Sequence, residues 1–112
     1  MIDLNKMAGE AHETAKTREE NGANIKTDTF SMLKHCATEV VEATEVYAKA
    51  KEYFECKGIL SFNYLEQFRQ ELADIITCVL IIAGHLNIDI ESALKEVQDK
   101  NKARAEGTGD KK

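Results

Sequence analysis

The sequence predicts an all-α protein, a four-helix bundle, on three observations. The 112 residues contain no proline and only six glycines, which removes the turn chemistry that sandwiches and barrels need. Apolar residues recur at helical spacing in four long stretches, and no alternating segment is long enough for a strand. Between those stretches lie short clusters of Asn, Gly, Ser and Asp, the residues that cap and connect helices.

The first helix is expected from Asp3 to Glu20, with Leu4, Met7, Ala8, Ala11 and Ala15 on its apolar face. Asn21, Gly22, Ala23 and Asn24 form its C-cap and loop. The second runs from Asp28 to Glu55, capped by Thr27 or Asp28 and closed by Lys57 and Gly58. Ser61 opens the third, whose apolar stripe begins at Tyr64 and Leu65 and continues to Leu86. Asn87, Ile88 and Asp89 make the next turn, and Asp89 caps a fourth helix ending near Gly107. These stretches make one domain over residues 1–107, with a small, charged and disordered tail over 108–112.

Composition excludes several classes of function. A formal charge of −5 and a sequence pI near 5.2 oppose non-specific nucleic-acid binding, which needs clustered cations. The longest near-apolar run, Ile75 to Gly84, is too short to cross a bilayer and contains Thr77. No basic stretch precedes an apolar one at the start, so a cytoplasmic location is expected. Cys36, Cys56 and Cys78 form an odd set without a CxxC pair, consistent with reduced thiols, Cys36 and Cys78 being small core residues. The three histidines show no zinc-ligand spacing with them.

The informative anomaly is where the carboxylates point. With Glu39 at zero on a wheel of about 100° per residue, Met32 and Ala50 fall near +20°, Ala43 near +40° and Val46 near −20°. Glu39 thus sits within the apolar stripe, flanked by Glu42 at about −60°. The third helix repeats the pattern: around Glu71, Tyr64 and Ile82 lie near +20°, Cys78 near −20°, and Asp74 near −60°. Ionised carboxylates in a core need cations or a wet cavity, because desolvation alone is too costly. Gly58 makes the two helices antiparallel neighbours and brings the two pairs level to within about one turn. Pairing with lysines is the simpler alternative, but four facing acids form a hard oxygen site suited to Mg²⁺, with Mn²⁺ a substitute. A di-iron bundle would carry Glu-x-x-His, which is absent: Gly9, Met32 and Ile82 stand three before His12, His35 and His85.

The fourth helix carries an apolar stripe of Ile90, Ala93, Leu94 and Val97 that continues into Lys100, Asn101 and Arg104. These groups either reach anionic oxygens at the metal or serve only the helix dipole. His35, one turn before Glu39, either touches substrate or metal or is a satisfied core histidine.

Glu39-Val40-Val41-Glu42 followed by Glu71-Leu72-Ala73-Asp74 resembles the ExxE…ExxD signature of the MazG-like, all-α NTP pyrophosphatases, with 28 intervening residues. Val97-x-x-Lys100-Asn101-x-x-Arg104 is similar to that family's phosphate-contacting fourth helix, so the likeness spans roughly Phe30 to Arg104. The resemblance implies a bundle of that type and Mg²⁺-dependent hydrolysis of a nucleoside triphosphate to the monophosphate and pyrophosphate. It implies that Glu39, Glu42, Glu71 and Asp74 are catalytic and hold metal, while Lys100, Asn101 and Arg104 grip the phosphates. His35 is a further candidate for substrate binding. No tryptophan is present to stack on a base, which leaves Tyr47, Tyr53, Phe54, Phe62, Tyr64 and Phe68, each also explained by core packing.

The third helix is apolar around much of its circumference from Ile75 to Leu86, more than one subunit can cover. Together with the resemblance, this predicts a homodimer or homotetramer. The task expected is clearing surplus or non-standard nucleotides from the pool. Phosphoribosyl-ATP pyrophosphatase and a non-catalytic oligomerisation or regulatory module are the alternatives.

Overall fold

A computed structural model describes residues 1–107, and the expected tail, 108–112, lies outside them. Four helices follow one another: α1 (Leu4–Glu20), α2 (Thr29–Lys57), α3 (Phe62–Leu86) and α4 (Ile90–Ala105). No strand occurs among the described residues.

Each helix begins where a short polar side chain satisfies an orphan amide. Asp3 accepts from the amide of Lys6 at 3.0 Å, and Asp28 from that of Ser31 at 3.0 Å. Ser61 accepts from Tyr64 at 3.3 Å, and Asp89 from Ser92 at 3.1 Å. The Ser31 amide favours the ionised form of Asp28, and the Asn5 side chain, followed by the Ser92 amide, does the same for Asp89, so both carboxyls are held below their usual range. Of the two candidate caps for α2, Asp28 is used. Thr27 instead donates to Glu19 at 2.7 Å, pinning the α1–α2 loop to α1. Two helices end on a left-handed residue, α2 at Gly58 (φ 74°) and α3 at Asn87 (φ 56°).

Helix α3 is the central element, and α1 and α2 both pack along it. Met32 of α2 is fully buried against Ala15 of α1 and Cys78 and Ile81 of α3. A second cluster joins Ala8 to Leu80 and Ala83, with Ile90 packed against it. At this crossing the backbones touch. A Cβ on Gly84 would collide with the carbonyl of Ala8 and stand 2.8 Å from the Cβ of His12. His12 and His85 meet beside the crossing, ring centroids 5.2 Å apart and nitrogens 3.3 Å apart.

The fourth helix departs from the expected bundle. It is anchored at its first turns, where Ile90 and Ala93 are partly covered, and no residue of α4 is buried. Leu94 and Val97 remain 42% and 50% exposed, so the stripe expected to close a bundle faces outward within the single chain. The Cα radius of gyration is 17.4 Å, against about 13 Å for a compact domain of this length. Helical periodicity specifies which face of α4 is apolar, but not whether its own chain supplies the surface that covers it.

Candidate metal and phosphate site

Midway along the α2–α3 pair, the antiparallel packing brings the acidic residues together. Glu39, Glu42 and Glu71 each offer a carboxylate oxygen, and the three oxygens lie within 4.8 Å of one another. Asp74 is exposed and stands outside this set of three, although its charge reaches Glu39. Glu39 lies in the apolar stripe as its phase requires and is only 9% exposed.

Burial sets the electrostatics of the centre. The Glu39 carboxyl is pushed above its usual range first by desolvation, then by the charges of Glu42 and Asp74 and, less strongly, Glu71. His35 opposes this from one turn earlier, its Nε2 3.2 Å from Glu39 Oε1. Two buried oxygens, Glu39 Oε2 and Glu71 Oε2, have no hydrogen-bond partner among the described residues. Unpartnered carboxylate oxygens among like charges are costly, and a hard divalent cation satisfies them. The donor set therefore fits Mg²⁺ or Mn²⁺, and lacks the soft ligands zinc prefers.

The side chain of His35 is 49% exposed, so it is not a core histidine, and its outer edge is open. Lys100, Asn101 and Arg104 are exposed on the distal half of α4, with no hydrogen bond or ion pair to the carboxylates. Within one chain they are not brought to the acidic centre, because α4 meets the start of α1 rather than α2.

The aromatic candidates divide between one pair near the acidic centre and others farther along the hairpin. Tyr47 and Phe68 pair at 5.5 Å about one to one and a half turns from Glu42 and Glu71, Tyr53 and Tyr64 pair at 5.9 Å nearer the α2–α3 connection, and Phe54 and Phe62 are exposed. Tyr53, 14 residues beyond Glu39, is about 21 Å away along α2. A cavity that periodicity could not show opens beside His35, lined by residues of α1, the α1–α2 loop and the first turns of α2. Its walls all come from residues 18–35, brought together by the turn of the α1–α2 loop. Among the described residues no helix is long and apolar enough to cross a membrane.

Comparison with curated proteins gives no match, and neither does comparison with solved structures. The family model of the MazG nucleotide pyrophosphohydrolase domain matches residues 28–108, from the cap of α2 past the end of α4. That segment contains both paired-carboxylate motifs and covers most of the sequence. The chain belongs to the MazG nucleotide pyrophosphohydrolase domain family.

Proposed function

We propose that this protein is a metal-dependent nucleoside triphosphate pyrophosphohydrolase, releasing pyrophosphate and leaving a nucleoside monophosphate. The observation that carries this reading is the convergence of Glu39, Glu42 and Glu71, two of them with a buried, unpartnered oxygen. Glu39, Glu42 and Glu71, with Asp74 at the rim, are the residues that would hold Mg²⁺. When bound, the cation offsets charge on the triphosphate oxygens and raises the electrophilicity of the α-phosphorus.

Hydrolysis needs a water oxygen to form a bond to the α-phosphorus while the bridging α–β oxygen bond breaks and pyrophosphate departs. A carboxylate of the cluster accepts the water's proton, a role favoured by an environment that raises carboxyl affinity for protons. His35 holds Glu39 by its Oε1, which leaves Oε2 buried and unpartnered. His35 thereby orients the carboxylate and presents its open edge to the substrate.

Lys100, Asn101 and Arg104 act on the phosphates from a second copy of the chain. A homo-oligomer is supported by the apolar stripes left uncovered: Leu72, Ile76, Val79 and Leu86 on α3, and Leu33, Val40 and Tyr47 on α2. Each stripe follows helical spacing, the pattern of a surface that packs against another helix. The task we assign is nucleotide-pool clearance in the cytoplasm by one domain over residues 1–107.

The test is pyrophosphate release from canonical, deoxy and modified triphosphates with Mg²⁺, beside the Glu71→Gln protein. Release by the wild type and its loss in the variant are expected. Silence across the panel, with metal binding intact, overturns the catalytic reading.

A further inference from the structure

The crossing of α1 and α3 brings together two residues that no sequence spacing marks, His12 and His85, 73 positions apart. We propose that they form a binding site for a borderline divalent cation of the zinc class, separate from the acidic centre, which ties α1 to α3. This site goes beyond the pyrophosphohydrolase reading and does not depend on it, since neither histidine belongs to the acidic centre.

The geometry comes first. His12 Nε2 and His85 Nδ1 face each other at 3.3 Å. Two nitrogens bound to one tetrahedral ion at the usual Zn–N length of about 2.0–2.1 Å stand about 3.3–3.4 Å apart. The same separation is long for a hydrogen bond from an N–H, whose usual range to oxygen is roughly 2.7–3.2 Å. With centroids 5.2 Å apart and planes tilted by 58°, the rings approach through these nitrogens rather than stacking. Neutral imidazole suits zinc-class ions, whereas Mg²⁺ favours carboxylate and water oxygens. The ion takes the place of the proton that the two rings would otherwise share. Each ring then keeps its own proton on the remaining nitrogen, His12 Nδ1 and His85 Nε2.

Backbone packing pre-forms the pair. Gly84 lets α1 approach so closely that a Cβ there would stand 2.8 Å from the Cβ of His12 and collide with the carbonyl of Ala8. His85 is the next residue, so the contact that admits α1 also sets the spacing of the two rings. His12 is half-buried and His85 exposed, which leaves an outer side open for water to complete the coordination. Glu10 and Glu13 line the cleft that runs past His12 and Gly84, and the charge of His85 reaches Asp28 at the start of α2. Against these three acids the cleft carries Lys6, so the surroundings are net negative and favour a divalent ion.

The pair is remote from the carboxylates. His85 stands 14 residues beyond Glu71, about 21 Å along α3. The two centres thus sort cations by ligand, oxygen between α2 and α3 and nitrogen between α1 and α3. Helix α1 precedes the segment that matches the family model, and an ion held only by the folded chain stabilises its docking by linkage.

The test is calorimetric titration of the untagged full chain with zinc chloride in saturating Mg²⁺, in a Cys56→Ser background that removes the exposed thiol. One Zn²⁺ per chain is expected, with a rise in melting temperature that His12→Gln and His85→Gln each abolish. Each substitution should weaken zinc binding by at least about tenfold. Nitrogen NMR of the imidazole rings, with all three histidines in place, gives a readout that a folding defect in a variant cannot mimic. Zinc should shift the ring signals of His12 and His85 and leave those of His35 unmoved. Zinc affinity that survives both substitutions overturns the proposal. So does zinc that shifts His35 instead, which places the ion at the acidic centre. An absence of zinc-dependent shifts at His12 and His85 also overturns it, and marks their contact as a hydrogen bond only.

Discussion

Asn5 and Glu91 cap one another's helices across the junction of α1 and α4. Asn5 Oδ1 accepts from the amides of Ile90 at 3.0 Å and Glu91 at 3.3 Å, while Glu91 Oε1 accepts from the amide of Leu4. Asn5 Nδ2 also donates to Asp89 at 2.9 Å. Two helix N-termini, each with orphan amides and a positive dipole end, are thus satisfied by residues 84 or more positions away.

Because α4 has little buried surface, this junction should decide whether it stays docked. Asn5→Ala is expected to cost about 1 kcal/mol, in line with loss of an N-cap. Glu91→Ala should cost a similar amount, and the double substitution less than the two together, since both remove parts of one network. Urea unfolding measures the cost. Amide exchange should show α4 losing protection before α2 and α3.

The α1–α3 crossing predicts opposite outcomes for two glycines. Gly84→Ala forces a methyl into the carbonyl of Ala8, which is backbone and cannot swing aside. A loss of about 1–3 kcal/mol is expected, with partial release of α1. Gly9→Ala, one residue after Ala8, meets nothing within 4 Å and should stabilise by up to about 1 kcal/mol through helix propensity. Equal melting shifts for the two variants would show that the close approach is absent in solution.

The acidic centre sets the pH dependence of the metal-free protein. Glu39 has its carboxyl raised on folding by burial and by its acidic neighbours, so the folded chain binds the proton more tightly than the unfolded one. Its contribution is therefore present at and below the ordinary glutamate range and is lost as pH rises through the folded value. Asp28, lowered on folding by the Ser31 amide, and Asp89, lowered first by the Asn5 side chain and then by the Ser92 amide, act in the opposite sense and lose their contribution as pH falls below the usual aspartate range. With chelator present, melting temperature should peak at mildly acidic pH and decline toward neutrality. Glu39→Gln should flatten that decline, and Glu71→Gln should match or exceed wild-type stability at neutral pH. Added Mg²⁺ should raise the wild-type melting temperature more than that of either variant.

The thiols should separate by burial. Cys78 lies in the core, and desolvation pushes it up to about 11, whereas Cys56 is exposed near the end of α2. Since the thiolate is the reactive form, alkylation near pH 8 should label Cys56 quickly. Cys78 should react only when the chain unfolds, and its labelling rate should track global opening. Early loss of all three thiols together would contradict the packing of Cys36 and Cys78 between α2 and α3.

Helix starts, ends and buried faces were legible in the sequence because they are local. Asp3, Asp28, Ser61 and Asp89 each bond an amide three residues on, and Gly58 and Asn87 each accept a conformation that a neighbour could not. The phase of Glu39 and Glu71 was equally local: a 3.6-residue period puts them among apolar neighbours, and one tight connection at Gly58 makes two helices antiparallel and level. That Glu39, Glu42 and Glu71 converge while Asp74 stays at the rim required the relative rotation of α2 and α3. Side-chain packing sets that rotation, and no single-helix period encodes it. Likewise the outward course of α4 and the Gly84 crossing arise from residues distant in the chain, and the cavity beside His35 from the way the α1–α2 loop folds back. Periodicity determined which face of each helix must be covered; only the tertiary structure decided what covers it, because burial is satisfied by any apolar partner while contact geometry is satisfied by one.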